Sequence, residues 1–181
     1  MSTAREVYKL VPGMHLPFHE REFLRKLATK IESEYEDPIF VNIGIAAKFG
    51  CCSMHSLRAG SDKALLIGID IEDQGPMPAT LGENTRFIIA DSSKVNLCVP
   101  GIHILFVDGD HTKAGVTADI ANFEWLIVKG GYIAFHDYGH FGKKGFEHVY
   151  GVKEAVDEWI KGHRRFWHAG YAGSIKYLRK Q

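Results

Sequence analysis

Two short segments carry most of the chemistry that this sequence can do. One is Asp108-Gly109-Asp110-His111-Thr112 and the other is His136-Asp137-Tyr138-Gly139-His140. Each directly follows an apolar run, Ile102 to Val107 (interrupted only by His103) and Gly131 to Phe135 respectively. If those runs are neighbouring strands that point the same way, three carboxylates and three imidazoles meet at one end of a sheet. Such a set suits a hard divalent cation held by oxygens, with histidine as a further ligand or as a general base. Taken singly, His111 and His140 read as surface residues that orient loops. It is Asp108 and Asp137 together that point to a site.

The elements that must position these residues follow from periodicity. Apolar runs of strand length occur at 39–43, 64–69, 86–90, 102–107 and 131–135, rich in β-branched and aromatic residues and continuous rather than alternating. Continuous runs indicate strands buried on both faces, as in a parallel sheet covered by helices. The segments between them fit crossovers. The spacing of Val116, Ile120, Phe123, Ile127 and Val128 predicts a helix over 113–128, closed by Gly130-Gly131. An earlier helix over about 20–35 carries Phe23, Leu24, Leu27, Ala28, Ile31 and Tyr35 on one face and stops before Pro38. Residues 1–19 read as an irregular arm or lid. A helix over 152–160 precedes two short strands at 165–169 and 174–178, with Gly170-Tyr171-Ala172-Gly173 as the turn. Strands that close together must pair antiparallel. The expected fold is therefore α/β: a Rossmann-like, doubly wound, mostly parallel seven-stranded sheet ending in an antiparallel hairpin, in one domain over 1–181.

Ligands of an open parallel sheet bind outside the carboxyl ends of its strands. After the first run come Gly44 and Gly50, which let backbone approach a ligand, and Ser53, a candidate helix cap. After the second comes Asp70, about 26 residues past Gly44, where a carboxylate can accept both hydroxyls of a ribose. After the third come Asp91 and Ser92, placed to touch a nucleobase, with a capping role the plainer reading for Ser92. The glycines do not match the dinucleotide fingerprint, which argues against a nicotinamide oxidoreductase.

Composition narrows the classes. The chain has 181 residues, 45% hydrophobic and 24% charged, with 22 basic and 22 acidic residues. A zero net charge leaves no electrostatic footprint for nucleic acid or an anionic membrane, and His163-Arg164-Arg165 reads as a solvated helix end. Cys51, Cys52 and Cys98 have no disulfide spacing and read as reduced thiols of a cytoplasmic protein. No signal peptide is visible, and no apolar stretch is long enough to span a bilayer.

The stretch from Val107-Asp108-Gly109-Asp110-His111-Thr112, through the helix with Asp119, to Gly130-Gly131-Tyr132-Ile133-Ala134-Phe135-His136-Asp137-Tyr138 and Gly151-Val152-Lys153 resembles methyltransferase domain family 24. That family belongs to the class I S-adenosylmethionine-dependent methyltransferases, near the cephalosporin hydroxylase-like and macrocin-type sugar O-methyltransferases. The likeness runs from about Phe40 to Leu178 and is strongest between Ile102 and Asp137. The resemblance implies O-methylation of a small hydroxylated acceptor, with S-adenosylmethionine as cofactor. It places Gly44 beside the methionine part, Asp70 on the ribose and Asp91 with Ser92 beside the adenine, and it puts Asp108 at the same pocket. It also implies a divalent metal such as Mg2+ on Asp108, His136 and Asp137, although His136 stands where relatives often have an acid. The first loop departs too, with Ala46-Ala47-Lys48-Phe49 in place of a tighter glycine-rich turn. Among the residues able to remove the acceptor's proton, His111 is the expected base, with Asp108 beside it and His140 as the other candidate. A metal-dependent hydrolase and a non-catalytic binding domain are the competing readings, and a homo-oligomer is compatible with so short a chain.

Overall fold

The computed structural model describes residues 16–46, 51–73 and 75–181. Helix α1 (Phe18–Glu34) leads into strand β1 (Ile39–Ile43), followed by α2 (Cys52–Gly60), β2 (Leu65–Asp70), β3 (Thr85–Ile89) and β4 (Ile102–Val107). Helix α3 (Lys113–Phe123), β5 (Ile127–Phe135), α4 (Tyr150–Gly162), β6 (Phe166–Ala172) and β7 (Ile175–Lys180) complete the chain. The strands form one seven-stranded sheet in the order β3-β2-β1-β4-β5-β7-β6. The pairs β1–β2, β1–β4, β2–β3 and β4–β5 are parallel, and β7 runs antiparallel to both β5 and β6. This is the doubly wound sheet with a terminal hairpin that the sequence predicts.

The continuous apolar runs have the expected cause. Every residue of β1 is buried. Val41, Ile43, Leu105 and Val107 face α3 and α4 through Val116, Ile120, Val152 and Val156. Phe40, Leu66, Ile104 and Phe106 face α1 and α2 through Leu24, Leu27, Ile31 and Leu57. Full burial of one such side chain contributes about 1.5–3 kcal/mol, so two apolar layers on one sheet fix its register. None of the helices among the described residues is long and apolar enough to cross a membrane.

Several boundaries differ from the sequence expectation. Helix α1 starts at Phe18, so His19 and Phe18 belong to it rather than to an irregular arm, while residues 1–15 lie outside the described residues. Helix α3 stops at Phe123, and a short turn at Glu124–Leu126 leads into β5 at Ile127, so Ile127 and Val128 are strand, not helix. Gly130 and Gly131 therefore lie inside β5. The register of β4 against β5 shifts between the pairs Ile102–Ile127 and Ile104–Tyr132, and Gly130 has φ +84° there. A bulge interrupts the apolar alternation, so the segment imitates a helical period. Ser53 is not a cap: Cys51 precedes α2 at φ 51°, and Ser53 is buried within the first turn. Ala47 to Gly50, the altered part of the first loop together with the candidate Gly50, lies outside the described residues.

The chain reverses its direction of travel across the sheet between β1 and β4, which opens a crevice at their carboxyl ends. Backbone hydrogen bonds carry the ladder one residue past each strand: Gly44 N donates to Ile69 O, Asp108 N to Ile43 O and His136 N to Val107 O. The exits of β1 and β4 are pressed together. A Cβ on Gly44, already at φ +79°, would lie 2.0 Å from the Asp108 carbonyl oxygen. Gly44→Ala is expected to cost about 2–4 kcal/mol of stability through backbone strain and collision. Chemical denaturation of the two proteins checks this, and an unchanged midpoint would contradict the close approach.

Candidate active site

At the crevice lies a cavity of about 550 Å3 lined by Gly44, Asp70, Asp91, Ser92, Asp108 and Asp119, among others. That is within the range of small-molecule and cofactor pockets. Each of the five residues expected to hold a cofactor is in this lining. Asp70 is locked in orientation, because its Oδ2 accepts from Ile45 N at 2.8 Å and its Oδ1 from Glu72 N at 3.0 Å. The remaining lone pairs of both oxygens suit paired hydroxyls.

The roles of Asp91 and Ser92 are exchanged relative to expectation. Asp91 is the cap of the turn at Ser92–Lys94, accepting from Ser93 N, while Ser92 Oγ donates to Asp119 Oδ1 at 2.5 Å. Asp119 is 2% exposed, and its Oδ2 has no hydrogen-bond partner. Burial pushes its carboxyl up to about 6, against the Ser92 hydrogen bond, with the charges of Asp110 and Asp91 adding to the rise.

Beside the cavity, and joined to it by Asp108, sits a cluster of carboxylates and imidazoles. His111 Nε2 lies 3.4 Å from Asp108 Oδ1 and 3.2 Å from Asp137 Oδ2. That nitrogen is buried, although the ring is partly exposed, and it is not aligned for a hydrogen bond to either. Close contact with the Asp108 and then the Asp137 carboxylate pushes the His111 pKa up to about 9, against burial. Asp137 takes a left-handed backbone conformation at φ 60°, which aspartate tolerates better than most residues. Burial alone would raise its pKa, but His111 and His136 hold it well below the ordinary carboxylate range. His140 Nδ1 lies 2.8 Å from Asp137 Oδ1, which fixes that ring.

His136 is placed differently from the ligand role expected of it. Its Nδ1 lies 2.9 Å from Asp108 Oδ1, and its Nε2 lies 3.1 Å from Glu20 Oε2. A carboxylate only accepts, so both ring nitrogens donate and the ring is an imidazolium. Burial would lower its pKa, but the Asp108 charge and the hydrogen bonds that the ring donates to Asp108, Asp137 and Glu20 hold it well above the usual histidine value. The residues whose ligand atoms lie within 4.8 Å of one another are Asp108, His111 and Asp137. Asp110 turns away from the cluster, since its two oxygens accept from Thr112 N and Thr112 Oγ1 at the start of α3.

Comparison with known proteins decides the family. A family model described as a methyltransferase domain matches residues 41–138, more than half of the chain. The chain belongs to this methyltransferase family. None of the curated proteins matches it in sequence. Among solved structures it resembles the MycE methyltransferase of the mycinamycin biosynthetic pathway, solved with Mg, SAH and mycinamycin VI. The TM-score is 0.70 at 16% identity, covering 98% of this chain and 53% of MycE, so the methyltransferase chain spans about half the length of that neighbour. It also resembles an O-methyltransferase from Bacillus cereus in complex with SAH (TM-score 0.69, 18% identity, 98% of this chain and 89% of the other). A third likeness is to the O-methyltransferase NovP (TM-score 0.67, 16% identity, 92% and 81%). At these identities the likeness establishes the methyltransferase fold.

Glu20 is the residue that the sequence reading missed. It does carry a signal, because Glu20 continues the buried stripe of α1 with Leu24, Leu27 and Ile31, and an acid on a core stripe asks for a buried partner. Asp119 gives a direct test of the cavity's electrostatics. Its folded pKa of about 6 lies above an unfolded value of about 3.9, so its contribution to stability falls as pH rises from about 4 to 6. Asp119→Asn should therefore gain about 2–3 kcal/mol relative to wild type between pH 4 and pH 7. Urea denaturation at both pH values checks this, and a pH-independent difference would contradict it.

Proposed function

We propose that this methyltransferase moves a methyl group from S-adenosylmethionine to a hydroxyl of a small acceptor, beside a divalent cation held by Asp108, His111 and Asp137. The observation that carries this reading is Asp108, which lines the nucleoside-sized cavity and at the same time belongs to the carboxylate–imidazole cluster. A residue shared by cavity and cluster supports a donor and an acceptor hydroxyl held side by side. The free thiols of Cys51, Cys52 and Cys98 fit a reducing, cytoplasmic setting.

Both groups fit the residues present. For the cofactor, Asp70 is pre-oriented for the ribose hydroxyls, and Asp91 and Ser92 line the same cavity, where the adenine would lie. Gly44 admits backbone beside the methionine part. For the metal, two carboxylates and a buried imidazole nitrogen without a partner form a donor set suited to a hard divalent ion. Such an ion lowers the pKa of an acceptor hydroxyl and fixes its orientation.

The reaction breaks the bond from sulfur to the methyl carbon, forms the bond from acceptor oxygen to that carbon, and releases the hydroxyl proton. The protein's part is alignment and proton removal. His111 takes the ligand role here instead of the base role expected of it, because its Nε2 lies between the Asp108 and Asp137 oxygens, and a nitrogen whose lone pair is given to a cation has none left for the acceptor's proton. His140 is better placed as base. Its Nδ1 is engaged by Asp137, which leaves Nε2 as the accepting nitrogen.

Asp70→Ala should weaken binding of S-adenosylhomocysteine at least tenfold by calorimetry, since charge-assisted hydrogen bonds contribute roughly 1.5–3 kcal/mol. Unchanged affinity removes Asp70 from the site. Binding of Mg2+ must expel the His111 proton, so its affinity should rise with pH by up to about tenfold per unit until about pH 9. Asp108→Asn and Asp137→Asn should abolish that binding with the fold intact. Turnover that is insensitive to a chelator across this range would end the cation reading.

A further inference from the structure

Glu20 reaches the site from outside the strand-end loops that build it. The residue is 2% exposed, on α1, and 116 residues away in sequence from His136. Its Oε2 accepts from His136 Nε2, and its Oε1 accepts from Ser174 N at the β6–β7 turn. We propose that Glu20 is a positioning residue of the cation site, holding the His136 ring against Asp108 so that the Asp108 carboxylate stays turned toward the position it shares with His111 and Asp137. This rests on the cation reading given above.

Two separate routes lead from Glu20 to the ligand set. The first runs through His136, whose Nδ1 lies 2.9 Å from Asp108 Oδ1. An imidazole fixed at one nitrogen still swings about its χ2 bond. Fixed at both, it presents Nδ1 to Asp108 in one plane. The second route runs through the turn. Ser174 O accepts from Gly139 N at 2.8 Å, and Gly139 lies between Asp137 and His140 in sequence. One carboxylate thus reaches the Asp108 side chain through His136 and the loop that carries Asp137 through Ser174.

The fit around Glu20 is tight. Gly173 stands at φ +62°, and a Cβ there would fall 2.3 Å from Glu20 Oε1. Stability alone does not require this arrangement. The same stripe of α1 is filled elsewhere by Leu24, Leu27 and Ile31. An apolar residue usually serves a buried position at least as well as an ion pair does. A carboxylate that orients the groups next to a metal ligand has a different use, and loss of such a group commonly lowers metal affinity about 10–100-fold.

The test uses the full chain with Mn2+ alone as the probe, following free Mn2+ by electron paramagnetic resonance. Calorimetric binding of S-adenosylhomocysteine and thermal melting serve as companion readouts. Glu20→Gln keeps the size of the side chain and an acceptor for Ser174 N, but removes the charge. It should bind Mn2+ about 10–100-fold more weakly, while the affinity for S-adenosylhomocysteine stays within about threefold, because Glu20 lines no part of that cavity. If Glu20→Gln does not fold, Glu20→Asp keeps the charge but shortens the reach, and the same selective loss is expected of it. Mn2+ affinity within about twofold of wild type would overturn the proposal. So would a parallel loss of Mn2+ binding, S-adenosylhomocysteine binding and melting temperature, which marks a merely structural role. Wild-type protein that binds S-adenosylhomocysteine but not Mn2+ would instead bring down the cation reading itself, and Glu20's role with it.

Discussion

The site turns on one balance of charge. Glu20, Asp108 and Asp137 are carboxylates in close quarters, and two imidazoles are threaded between them. Burial alone would drive protons onto the acids. The histidines take them instead, so the carboxylates stay ionised well inside the protein. The two rings are not equivalent. His136 is enclosed between two acids and serves as a fixed internal cation. His111 stands between two acids without being aligned to either. One ring is bonded at both nitrogens and belongs to the framework, and the other has a nitrogen left unbonded.

This balance depends on backbone geometry. The ladder bonds from Asp108 N and His136 N tie the first residue after β4 and after β5 to the neighbouring strand. Side chains there start from rigid positions, which a loop would not supply. The crowding of Gly44 against the Asp108 carbonyl brings the cofactor cavity and the charged cluster together at a shared residue. Separation of β1 and β4 by even one further strand would leave two unrelated pockets.

Much of this is legible in the residues. Strands buried on both faces give continuous apolar runs, and the rule that ligands lie past strand ends then selects Gly44, Asp70, Asp91, Asp108 and Asp137 without any contact information. What is not legible depends on rotation and distance. Spacing shows that His111 and His136 are near the acids, but not which ring is enclosed and which is open. Asp91 and Ser92 are ambiguous in sequence because short polar side chains serve caps and ligands equally well, and only hydrogen-bond partners separate these uses. The β5 bulge at Gly130 disguised strand as helix. Glu20 lay in the first turn of a helix, where an acid is commonplace, and its partners come from segments more than a hundred residues later.

That last separation bears on how the molecule matures. The carboxylate of Glu20 is completed by the amide of Ser174, 154 positions further along. A chain emerging from the ribosome has all of its parallel strands long before it has this bond. During synthesis the cluster therefore holds an acid that lacks one of its donors until the closing hairpin docks. The Glu20 end of the cluster is thus the last part of the site to gain its partners, after the cavity lining from Gly44 to Asp119 has been synthesised.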